Sequence, residues 1–101
     1  MASRLSLQKK LTEILGNNHV YYEPPESLKL SYPCFIYMLD DKERRSADNI
    51  GYIMKNRYQI TLIDYLPDNP AIDKIMELPY CSFERSYKSD NLEHYVVTLY
   101  W

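Results

Sequence analysis

Cys34, Cys81 and His94 are the side chains in this sequence with the most reactive chemistry to offer. A thiol beside an imidazole would give a nucleophile and its base, and such partners need to meet in space, not in sequence. Both cysteines, however, sit in strand-like stretches, Cys34 ahead of Phe35-Ile36-Tyr37-Met38-Leu39 and Cys81 ahead of Ser82-Phe83. There a cysteine serves as a small apolar residue. Met1 to Lys10 has no apolar run ending in small residues, so no cleaved leader is expected and the two cysteines are read as free thiols.

Metal chemistry finds no pattern either. His19 and His94 have no Cys or His at ligand spacing, and neither H-x-x-x-H nor C-x-x-C occurs. Asp40, Asp41, Glu43 and Asp48 do not follow the calcium-loop pattern and alternate with Lys42, Arg44 and Arg45, which reads as a solvated mixed-charge stretch. The only glycines are Gly16 and Gly51, too few for a phosphate-cradling loop. Arg44-Arg45 could grip a phosphate or carboxylate on a partner, although two arginines alone specify neither. The expectation is a protein without catalytic residues, metal or cofactor, and therefore not an enzyme.

Composition narrows the partners. Twelve basic against 14 acidic residues give a formal charge of -2 with no long block of one sign, which argues against a protein that binds nucleic acid by itself. The longest apolar run, Cys34 to Leu39, is far short of the roughly 20 residues of a membrane helix. A chain of 101 residues suffices for one domain, residues 1–101, with one core. Eleven tyrosines against two phenylalanines supply more amphipathic aromatic surface than a core of this size hides easily. Tyrosine suits both half-wet protein contacts and ordinary pleated strands.

The elements that must position these residues are organised around Arg57 to Tyr65, where polar Arg57, Gln59 and Thr61 alternate with apolar Tyr58, Ile60 and Leu62. Nine extended residues span roughly 30 Å, enough for the central strand of a small sheet. Before it, Ser3 caps a helix to about Leu15 with Leu7, Leu11, Ile14 and Leu15 on one stripe, and Gly16-Asn17-Asn18 stops it. His19 to Tyr22 is a short extended piece ended by Pro24-Pro25. Pro33 opens a strand to about Leu39 that is apolar on both faces and belongs inside the sheet. Asp40 to Gly51 is a long charged loop or hairpin arm, with Tyr52 to Lys55 leading out of it. Asn69 and Pro70 start a second helix to about Glu77, with Ile72, Ile75 and Met76 inward. Tyr80 to Tyr87 and Leu92 to Trp101 form the last hairpin, in a register that pairs Tyr87 with Glu93 and puts Cys81, Phe83 and Tyr87 on one face. The fold class is α+β, a mixed, mostly antiparallel sheet of four to five strands with two helices.

Tyr32-Pro33-Cys34-Phe35-Ile36-Tyr37, Ala47-Asp48-Asn49, Arg57-Tyr58-Gln59-Ile60-Thr61, Phe83-Glu84-Arg85-Ser86-Tyr87 and Asp90-Asn91-Leu92-Glu93-His94-Tyr95 together resemble the small tail-completion proteins of tailed bacteriophages, also called tail terminators. The likeness covers most of residues 20 to 101 and lies in strand and turn residues. It implies a homo-oligomeric, hexameric ring that caps the tail tube, ends its polymerisation and joins it to the head connector. Its implied partners are the tail tube protein and a connector or neck protein, with DNA passing through the ring without specific nucleic-acid binding and no membrane involved. Its implied place is the virion tail or neck, assembled in the bacterial host cytoplasm. Contacts between copies are expected of Asp40, Asp41, Lys42, Glu43, Arg44, Arg45, Asp48 and Asn49 in the arm and of Tyr65 at the end of the central strand. A small intracellular adaptor or inhibitor that works by protein binding would show much the same composition.

Overall fold

The computed structural model describes residues 3–42 and 56–101, with the backbone alone for Asp41 and Lys42. Helix α1 (Arg4–Leu15) begins where the Ser3 hydroxyl accepts the Ser6 N–H at 3.2 Å, and ends at Gly16, whose φ of 84° lets its N–H reach the Thr12 carbonyl. Such a left-handed cap is cheap for glycine, which has no Cβ to clash. Leu7 and Leu11 carry the buried stripe. Helix α2 (Pro70–Met76) starts from Asn69, whose side chain accepts the Ala71 N–H, with proline at the first helical position where no donor is needed.

Among the described residues five strands form one sheet: β1 (Val20–Tyr22), β2 (Cys34–Lys42), β3 (Asn56–Asp64), β4 (Cys81–Ser89) and β5 (Leu92–Tyr100), in spatial order β1-β2-β3-β5-β4. The β1–β2 pair is parallel and the rest are antiparallel. This is the α+β class, with β3 at the centre as its two-residue alternation requires. Phe35 and Tyr37 of β2, Tyr58, Ile60 and Leu62 of β3, and Val97 and Leu99 of β5 share the face that packs with Leu7, Leu11, Ala71 and Ile75 of the helices. Burial on this scale is the main stabilising term of the fold, at roughly 1.5–3 kcal/mol per large apolar side chain.

The helix layer is keyed to the sheet by polar contacts as well. Tyr37 is fully buried, and its hydroxyl donates to Gln8 Oε1 while accepting from Arg4 Nη1 at 3.2 Å. Gln8 Nε2 donates in turn to the Val20 carbonyl at 2.9 Å, and the Arg4 guanidinium lies 4.3 Å from the centre of the Tyr22 ring. A buried hydroxyl left without partners would be costly, so this network fixes how α1 sits over β1 and β2.

Four expectations change. Strand β2 continues to Lys42 through an irregularity after Leu39, so Asp40, Asp41 and Lys42 belong to the sheet and not to a loop. Its helix-free side is not covered along its whole length, since Met38 is exposed. In α2, Ile75 is buried and Ile72 packs partly buried against the core as expected, Ala71 joins them, and Met76 turns outward. The last hairpin turns through two residues, Asp90 and Asn91, both with positive φ as a mirror-image turn requires. Cys81 and Phe83 pair with Leu99 and Val97 as expected, but the register shifts between Phe83 and Arg85, so that Tyr87 faces His94 and not Glu93. Tyr87 therefore lies on the helix-free face.

Candidate interaction surface

On the helix-free face one row across the sheet reads Cys34, Ile63, His94, Tyr87. The segment between β1 and β2 closes over its Cys34 end: the Ser31 N–H donates to the Tyr21 hydroxyl at 3.3 Å, and Tyr32 packs edge-on against Tyr65 with ring centres 5.4 Å apart. Burial raises the Tyr32 hydroxyl pKa. Underneath, Cys34 is fully buried, and desolvation, with Asp64 nearby, pushes its thiol up to about 12. At neutral pH roughly one such thiol in 10^5 is ionised, far from an activated nucleophile.

The arrangement separates both thiols from His94. Ile63 stands between Cys34 and His94, and two strand spacings amount to about 10 Å. Cys81 lies on the opposite face, with its sulfur 3.8 Å from that of Met76, and burial raises its pKa as well. Both thiols are free. His94 instead stacks on Tyr87 at 4.6 Å and 10° between ring planes, with Nδ1 3.0 Å from the Leu92 carbonyl. His19 Nδ1 lies 3.3 Å from the Pro33 carbonyl. Among the described residues, no three His, Cys, Asp or Glu side chains gather where they could hold a metal ion, and no helix is long and apolar enough to cross a membrane.

What the sheet does offer is margin. Strand β4 is an edge strand of nine residues, exposed from Ser82 to Ser89. Its outward N–H and C=O groups form a template for another strand. Phe83 is 48% exposed on one of its faces and Tyr87 44% on the other, where the Arg85 guanidinium lies 5.9 Å from the Tyr87 ring centre. At the opposite margin β1 pairs only with Phe35, Ile36 and Tyr37 of β2, the Glu23 N–H adding one bond to the Tyr37 carbonyl. Beyond it, among the described residues, Met38 to Lys42 have a strand neighbour on the β3 side alone, and Met38 and Leu39 are 42% and 36% exposed.

The expected contact residues divide three ways. Asp40 is on β2, where its Oδ2 accepts from Arg57 Nε at 2.8 Å; Arg57 Nη1 also reaches the Tyr100 hydroxyl, and these two bonds raise the guanidinium pKa. Asp41 and Lys42 extend β2 opposite Arg57 and Asn56. Tyr65 follows β3 and is 63% exposed beside Leu66. Glu43, Arg44, Arg45, Asp48 and Asn49, with most of the charged arm, lie outside the described residues. Sequence reasoning missed Phe83, Arg85 and Tyr87, although Ser82 to Ser89 carries the signal: only two of its eight residues are apolar or aromatic, too few for a strand covered on either face. Comparison with protein-family models gives no match, and no curated protein matches the chain.

Proposed function

We propose that this protein is a structural subunit that assembles into a ring capping a phage tail tube, where it ends tube growth and joins the tail to the head connector. The observation that carries assembly is the edge of β4, uncovered from Ser82 to Ser89 among the described residues, with aromatic side chains exposed on both faces. A monomer that worked alone would gain by blunting such an edge with proline, a covering loop or a shorter strand. The resemblance of most of residues 20 to 101 to tail-completion proteins supplies the tail and its cap. In this reading the protein has no catalytic centre, its partners are further copies, the tail tube protein and a neck component, and DNA passes through the ring without sequence-specific contacts. Asp40 and Tyr65 contribute to contacts between copies.

Light scattering on the purified chain at rising concentration, together with mass spectrometry and imaging of particles that contain it, tests this. The expected result is a ring of copies at one end of a tail tube. Monomer at all concentrations, with the chain absent from purified particles, refutes the proposal. A defined one-to-one complex with a host protein would favour the adaptor reading instead.

A further inference from the structure

We infer that the seam between neighbouring copies, within the ring reading above on which this rests, is a β-sheet junction in which β4 of one copy adds antiparallel to the Met38–Lys42 stretch of β2 in the next. Strand direction supports it first. Since β2, β3, β5 and β4 alternate in direction, β4 runs opposite to β2. A second copy placed beside the first with its helices on the same side therefore brings β4 against β2 as an antiparallel pair, the arrangement of three of the four junctions inside the chain. The two margins are different surfaces, so the contact is head-to-tail and does not stop at a pair; it gives a ring where the rotation between copies closes.

The short strand β1 fixes the stagger. It occupies the β2 margin at Phe35 to Tyr37, so an incoming strand reaches only Met38 to Lys42. The end of β4 that fits this space without running into β1 is Arg85 to Ser89, because the chain then turns back at Asp90-Asn91. Such a stagger tilts the strands relative to the ring axis, as closure of any sheet requires. Side chains agree on both faces. Tyr87 and Met38, both exposed, lie on the helix-free side, and Leu39 lies on the helix side with Lys88, whose methylenes cover apolar surface while its charge stays in water. Arg85 and Lys88 bring positive charge towards Asp40.

Disulfide trapping tests the junction. In a Cys81→Ser background, Leu39→Cys combined with Lys88→Cys should give, on oxidation at assembling concentration, a ladder of covalent multimers ending at the ring size. Either single variant should give no ladder. In unmodified protein, amide exchange at Arg85 to Ser89 and at Met38 to Lys42 should slow together on assembly, so the inference can be judged even if the double variant folds poorly. Dimers from Lys88→Cys alone would indicate β4 paired with its own copy and overturn the junction. Rings seen by imaging with neither ladder nor slowed exchange would overturn it too while leaving the ring intact. Absence of any assembly by light scattering and imaging would end both.

Discussion

The chain has two phenylalanines, and they sit in opposite circumstances. Phe35 lies on β2, fully buried between α1 and the centre of the sheet, whereas Phe83 lies on β4 with about half its surface in water. The margins they represent are managed differently. At one, β1, the Arg4–Tyr22 contact and the segment leading to Ser31 cover β2 over the half that carries the core. At the other, nothing described covers the strand beyond Ser82. Among the described residues, one margin is closed by the chain's own elements and the other is left open.

The sharpest way to break this contrast is to apply the same truncation twice. Phe35→Ala should cost about 3–5 kcal/mol in urea unfolding, the usual range for emptying a buried aromatic site, and a loss below about 1 kcal/mol would mean that the helix-side core is not where stability resides. Next in size is an alkaline effect under the covered half. The folded Cys34 thiol titrates near 12 against an unfolded value of 9.0. Its contribution is therefore fully present below pH 9 and is lost as pH rises towards 12, by up to about 4 kcal/mol. Denaturant melts between pH 8 and 11 should show this decline, and Cys34→Ala should flatten it. An unchanged slope in that variant would assign alkaline instability to other groups.

Tyr37→Phe removes the hydroxyl that joins Arg4 to Gln8 and should cost about 1–2 kcal/mol, with the Gln8 side chain left to find another partner. A neutral result would mean that α1 is held by its leucines alone. The smallest expected change in stability is Phe83→Ala, below about 1 kcal/mol for the isolated chain. Phe83 lies outside the Arg85 to Ser89 stretch placed at the proposed junction, so scattering at rising concentration should show any assembly little changed as well. Equal losses at Phe35 and Phe83 in the isolated chain would erase the distinction between the two margins.

Much of the fold was legible because local chemistry and tertiary need agreed. Ser3 before an apolar stripe, Gly16 after it, Asn69 before Pro70 and the alternation from Arg57 to Leu62 each point to one element, and each forms it. What escaped depends on neighbours that spacing does not name. Asp40, Asp41 and Lys42 read as loop because charge is uncommon inside a sheet, yet Asp41 and Lys42 keep pairing with β3, with Asp40 at the register shift before them. The parallel β1–β2 pair has no turn signal, since its strands are joined over a long detour. Asp40 and Tyr65 were singled out from charge and from aromatic bulk at a strand end, and the structure places the first on β2 and the second, exposed, after β3. The β4 side chains were passed over because an exposed strand resembles an ordinary solvated one until its missing neighbour is seen.

The register shift between Phe83 and Arg85 bears on how that strand is read by anything that docks on it. In an unbroken strand, positions 83 and 87 share parity and both rings would stand on one side, leaving the reverse side bare. One additional residue between them changes the count from even to odd, and the rings project in opposite directions. A visiting backbone laid along this margin would thus have Phe83 above it near one end and Tyr87 below it near the other, a diagonal clasp that resists tipping either way. A single deletion at Glu84 would remove the shift yet leave the two rings three residues apart, so they would still project to opposite sides and the clasp would persist.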